Sequence, residues 1–155
     1  MSVFSLGPVF QETVSAVTAT NSVEVGTNRR VGNDDYIYVY NAGNSQILPG
    51  YCAVVSGVSG YSVTLSSVTS VDLAIGHCKH ATLTTGTYGW LLTRGFAQVQ
   101  LGANDSMVAG AILRAGTDGT YAAATNATGN MSPVIGKAMG AAASAGTATA
   151  FIKIW

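Results

Sequence analysis

The chain has 155 residues, of which only 9% are charged, and its formal net charge is zero. A chain of that length fits one domain with a sizeable core, and the balanced charge excludes a protein whose field steers it to nucleic acid or to an anionic membrane. Ser, Thr, Gly, Ala and Val dominate while Glu, Lys and Leu are scarce, which disfavours helix and suits short strands joined by tight turns.

The first dozen residues contain Gly7-Pro8 and show no periodicity. They are expected to form an extended arm, and Thr13–Thr20 an edge strand, so that residues 1–20 stand apart from a single β domain at 21–155. Met1–Leu6 lacks a basic region and a long apolar run, so no secretory leader is expected. Asn28-Arg29-Arg30 and Gly32-Asn33-Asp34-Asp35 gather charge beside turn formers, which predicts a polar loop. Strands follow at Tyr36–Tyr40, Tyr51–Ser56, Tyr61–Ser66, Leu73–His77, Tyr88–Thr93, Phe96–Leu101, Ala111–Arg114, Thr120–Ala124, Val134–Ala138 and Ala148–Ile154. Turn signals such as Pro49-Gly50, Gly102-Ala103-Asn104-Asp105 and Asp118-Gly119 separate them. The Ala/Gly run at Ala138–Gly146 has room for a helical turn or two and is too short and too small to cross a membrane. The fold class is all-β, a compact barrel or sandwich.

A degenerate repeat runs through these strands. Tyr36–Tyr40 aligns with Phe96–Gln100, Pro49-Gly50 with Ala109-Gly110, Tyr61 with Tyr121 and Gly86-Thr87 with Gly146-Thr147, all 60 residues apart and without a gap. The expected units are about 34–94 and 95–155.

Reaction chemistry is thin. His77-Cys78-Lys79-His80 is the one place a metal could be argued, but on a strand Cys78 and His80 share a face while His77 points away, and a zinc site needs three or four ligands. There is no Gly-x-Ser-x-Gly elbow and no phosphate loop. Asp34 and Asp35 are adjacent, and Asp72, Asp105 and Asp118 sit at turns, so no carboxylate pair is set up for acid–base work. No enzyme, cofactor, metal or small-molecule substrate is expected, and Cys52 and Cys78 read as buried reduced thiols. Tyr36, Tyr38 and Tyr40 lie on one face of a strand, as a core or interface stripe or as a shelf for sugars. Trp90 and Trp155 occupy strand positions, the latter needing cover from a neighbouring subunit. Arg29 and Arg30 read as solvated loop charge or as an anchor for an acidic patch.

The run Tyr36-Ile37-Tyr38-Val39-Tyr40-Asn41-Ala42-Gly43, then Ile47-Leu48-Pro49-Gly50, Thr87-Tyr88-Gly89-Trp90-Leu91-Leu92-Thr93-Arg94-Gly95, Ile135-Gly136-Lys137-Ala138 and the end Phe151–Trp155, resembles the capsid decoration, or cement, proteins of tailed bacteriophages. The likeness covers nearly the whole chain from Val31 onward. It implies a structural protein on the outer capsid surface of the virion that clamps neighbouring major capsid protein subunits. It also implies self-association as a homotrimer, and an arm that adds to strands of the capsid protein. The low charge agrees, since surface without charge is surface to be hidden. Capsid contacts are then expected from Phe4, Pro8 and Phe10 of the arm and from Arg29, Arg30, Asp34 and Asp35, and subunit contacts from Tyr36, Tyr38, Tyr40, Trp90 and Trp155. The alternative is a carbohydrate- or receptor-binding β module of a phage head or tail fibre, with the three tyrosines as the shelf.

Overall fold

The computed structural model describes residues 13–56, 60–66, 73–124 and 134–154. The expected arm, with Phe4, Pro8 and Phe10, lies outside the described residues, as do Asp72 and Trp155. The described residues are all-β: β1 (Val17–Thr18), β2 (Asn28–Val31), β3 (Asp34–Asn41), β4 (Cys52–Val55), β5 (Ser62–Leu65), β6 (Ala74–His77), β7 (Tyr88–Gln100), β8 (Ile112–Ala115), β9 (Tyr121–Ala123), β10 (Gly136–Ala138) and β11 (Thr147–Lys153). A short 3₁₀ turn at Thr117–Gly119 joins β8 to β9, at the Asp118-Gly119 turn signal.

One long strand organises the rest. The N-terminal half of β7 pairs antiparallel with β3, from Tyr40 opposite Tyr88 to Asp35 opposite Arg94. From β3 the sheet continues to β5 in parallel, to β4, to β6, and back to β7 where His77 faces Leu92, which closes a ring. The C-terminal half of β7 pairs with β11 from Arg94 opposite Lys153 to Gln100 opposite Thr147. From there the sheet passes through β10 and β8 to β9, and a parallel bridge between Leu101 and Tyr121 brings it back to the end of β7. The protein is thus a closed β-barrel with a second ring of strands fused to it along β7.

Alternation along each strand sorts side chains between the two cores. Ile37 and Val39 of β3 pack with Ile47, Ala53, Val63, Leu83 and Leu91 in the first ring. The cluster of the second ring includes Ala97, Val99, Leu101, Met107, Leu113, Tyr121, Ile135, Ala138, Ala150 and Ile152. Turn contacts repeat with the side chains. Gly50 N–H donates to Cys78 O at 2.8 Å and Gly110 N–H to Ala138 O at 2.8 Å, while Cys78 N–H reaches Tyr51 O and Ala138 N–H reaches Ala111 O. Beyond Ala138 the match shortens by one residue: Thr87 N–H bonds Thr84 O where Gly146 N–H bonds Ala143 O. Gly86 and Ala145 accordingly take the same left-handed turn position, at φ 75° and 56°. The ungapped pairing of Gly86-Thr87 with Gly146-Thr147 is therefore displaced by one residue.

Three expected elements differ. The polar loop around Asn28-Arg29-Arg30 is β2, a hairpin partner of β3 in which Arg30 stands opposite Asp35 and Arg29 opposite Tyr36. Cross-strand charge pairing and the Gly32-Asn33 turn make a strand of residues that look like loop in isolation. The two strands expected on either side of Gly95 are one, because Gly95 sits at φ 143° and a Cβ there would meet Asp34 Oδ1 at 2.1 Å. The stretch Ala138–Gly146 forms no helix but turns and a bridge between Met107 and Ala142.

Tight packing in the first ring can be tested by adding one methyl. A Cβ at Gly76 would lie 2.4 Å from Leu91 Cβ, whereas one at Gly140 has nothing within 4 Å. Gly76→Ala is expected to cost about 1–3 kcal/mol in urea denaturation and Gly140→Ala less than about 0.5 kcal/mol. Equal costs would contradict this packing.

Candidate functional site

The charged residues singled out in the sequence meet at one end of the first ring. Asp34 and Asp35 open β3, and Arg94 lies across from Asp35 on β7. Asp35 carries two ion pairs, to Arg30 Nε and to Arg94 Nη1, each at 3.7 Å. Asp34 Oδ2 pairs with Lys79 Nζ, partly buried. The Tyr36 hydroxyl lies 3.2 Å from Asp34 Oδ2 and 2.8 Å from His80 Nε2, and the Tyr36 and His80 rings stack. Burial, then the Asp34 charge and its hydrogen bond, push the Tyr36 phenol far above its ordinary range, so it stays protonated. Burial and the neighbouring Lys79 lower the pKa of His80. Arg29 lies over the Trp90 ring, 5.8 Å from its centroid, in cation–π geometry. Acids and bases here largely satisfy one another, and the exposed pairs contribute little to stability.

Tyr36, Tyr38 and Trp90, expected at a subunit interface, lie in the interior of the chain. They are 2%, 1% and 6% exposed within this single chain. The segment before β2 covers them, with Ser22 Oγ 3.0 Å and Thr18 Oγ1 3.3 Å from the Tyr38 hydroxyl and Val14, Val23 and Val25 packed alongside. The ring of Tyr38 leans on Trp90 at 5.0 Å and stacks near Tyr88, which also touches Tyr40 at 4.8 Å. Tyr40 alone of the stripe is half-buried, so the sugar shelf has lost two of its three members to the core.

The histidine–cysteine run does not keep the strand alternation expected of it: β6 ends at His77, Cys78 turns into the core of the first ring and His80 lies against Tyr36, so Cys78 and His80 share no face. His77 is fully buried, its Nδ1 2.8 Å from the hydroxyl of Tyr121, with Nε2 lacking a hydrogen-bond partner. Tyr121 belongs to β9, so this contact ties the two rings together. The Cys78 thiol donates to Ala81 O at 3.1 Å and to Ile47 O at 3.5 Å, and burial pushes its pKa up to about 12, which keeps it an unreactive thiol. Among the described residues no three His, Cys, Asp or Glu side chains converge on a point.

A surface the sequence reading passed over lies on the second ring. Outward positions of adjacent strands place Phe96 beside Phe151, Phe151 beside Lys137, and Lys137 beside Ile112. The two phenyl rings meet edge to face at 5.1 Å, and Phe96 is 55% exposed. The only sequence signal was a Phe in phase with Arg94 and Gln98, the polar positions of a half-buried strand.

No protein-family model matches the chain, and no curated protein does. Its fold is similar to that of a solved structure described as the N base of the head fibre gp8.5 in bacteriophage phi29. The two share 18% sequence identity over 76% of this chain and 94% of that one, with a TM-score of 0.50. At that identity the likeness is one of fold.

The His77–Tyr121 contact makes acid stability testable. Burial first, then the charges of Lys79 and His80, lower the His77 pKa from 6.5 to about 3. The unfolded chain therefore takes up this proton before the folded one. The contribution of His77 to stability is complete above the ordinary histidine range, is lost as pH falls through that range, and is gone below about pH 3. The difference is on the order of 4–5 kcal/mol. His77→Gln is expected to be weaker at pH 7 but flatter between pH 7 and 4, read from urea midpoints. An unchanged slope would remove His77 from the account.

Proposed function

We propose that this chain is a structural protein of a phage virion that seats on the outer capsid surface and clamps neighbouring major capsid protein subunits. The observation that carries the reading is the fold, which aligns over 76% of this chain with 94% of a solved chain described as the N base of a phage head fibre. The state of the ionisable groups supports it. His77 is held neutral, Cys78 is held as a thiol, and Asp34 and Asp35 are tied to Lys79, Arg30 and Arg94. These groups are engaged within the chain rather than arranged for reaction. A charged fraction of 9% supports burial of much of the outer surface against a lattice, and self-association as a homotrimer belongs to the same reading.

Co-sedimentation with phage heads assembled without this chain tests the proposal. Saturable uptake at a fixed ratio of chain to capsid protein is expected, with tightness gained from several simultaneous contacts. Heads that take up none of the folded chain would overturn it.

A further inference from the structure

We infer that the outward face of the second ring, built on the row Phe96, Phe151, Lys137 and Ile112, is the surface that meets the capsid, and that its partner surface is apolar at the centre and edged with carboxylates. The inference rests on the virion reading and assigns its contact. Strand register puts the four residues side by side on four adjacent strands, β7, β11, β10 and β8. Phe96 and Ile112 are 55% and 47% exposed, and Met139, whose N–H bonds Thr149 O next to the row, is 54% exposed. Neighbouring outward positions are polar, with Gln98 Nε2 donating to Thr149 Oγ1 at 2.9 Å. An aromatic pair in such company is costly to leave in water and favourable to bury.

Charge selects the occupant. The charged residues on the strands of this ring, from Arg94 onward, are Arg94, Arg114, Lys137 and Lys153; no Asp or Glu stands on them. Arg94 is already paired with Asp35, so the positive charge on the row and its strands is carried by Lys137 and by Arg114, which is in phase with Ile112. A two-fold contact with a second copy would set Lys137 and Arg114 against their own counterparts, and like charges across an interface are repulsive. An acidic protein surface meets the same face with opposite sign, the phenyl rings filling its apolar centre.

The test is uptake by phage heads assembled without the chain, measured for the unaltered protein, Phe96→Ser, Lys137→Glu and Thr85→Glu. Binding should weaken at least about tenfold for Phe96→Ser and for Lys137→Glu. It should hold for Thr85→Glu, an exposed turn residue ahead of the first half of β7, and should fall as salt rises. Thermal melts check that the variants fold; should Phe96→Ser melt early, Lys137→Glu at its exposed site decides alone. Undiminished uptake of both variants overturns the face while leaving the virion reading in place. Failure of the unaltered chain to bind overturns that reading and this assignment together. A dimer abolished by Lys137→Glu, or retention on immobilised duplex DNA lost with the same change, would assign the face to another occupant and overturn the inference.

Discussion

Everything in this fold hangs on β7 being hydrogen-bonded along both halves, each half to a different ring. Its 13 residues lend their first part to β3 and β6 and their second to β11. Neither ring can close without it, because each has β7 as a member. The changeover falls at Arg94 and Gly95, where the strand passes from one partner to the other and where a side chain on Gly95 would collide with Asp34. That is also where the ion pairs of Asp34 and Asp35 gather, so the charged cluster marks the seam of the two rings. The buried contact of His77 with Tyr121 fastens the seam from inside.

Sharing one strand also fixes what the surface offers. Along the second half of β7 the buried positions are Gly95, Ala97 and Val99, which leaves Arg94, Phe96 and Gln98 pointing out. β11 repeats the pattern with Ala150 and Ile152 inside and Phe151 and Lys153 outside. The inner positions of these two strands are small apart from Val99 and Ile152, and Leu101, Leu113, Tyr121 and Ile135 fill the rest of the core. Phenylalanine on the outer face of these strands is apolar surface suited to burial against another protein.

Much of this was legible in the chain. Turn glycines at a regular spacing and alternating apolar runs placed most strands within a residue or two, because tight turns and a half-buried pleat constrain residue type locally. The repeat spacing was legible as far as Ala138, where the turns keep their glycines. It slipped afterwards because Ala145, not a glycine, takes the left-handed position. β2 was missed because Arg29 and Arg30 look like loop until Trp90 and Asp35 are known to lie across from them. The tyrosine stripe was read correctly as one face of a strand, but which residues cover it is a long-range fact. The Phe96 row was illegible for a similar reason: Phe96, Ile112, Lys137 and Phe151 are far apart in sequence and meet only through register.

The most direct measurement of the central claim is gold-labelled antibody against this chain on intact virions, viewed by electron microscopy. The account predicts gold over the outside of the head, as the proposed seating on the capsid surface requires. Virions that carry no label on the head, while the same antibody detects the chain free in the lysate, would contradict it.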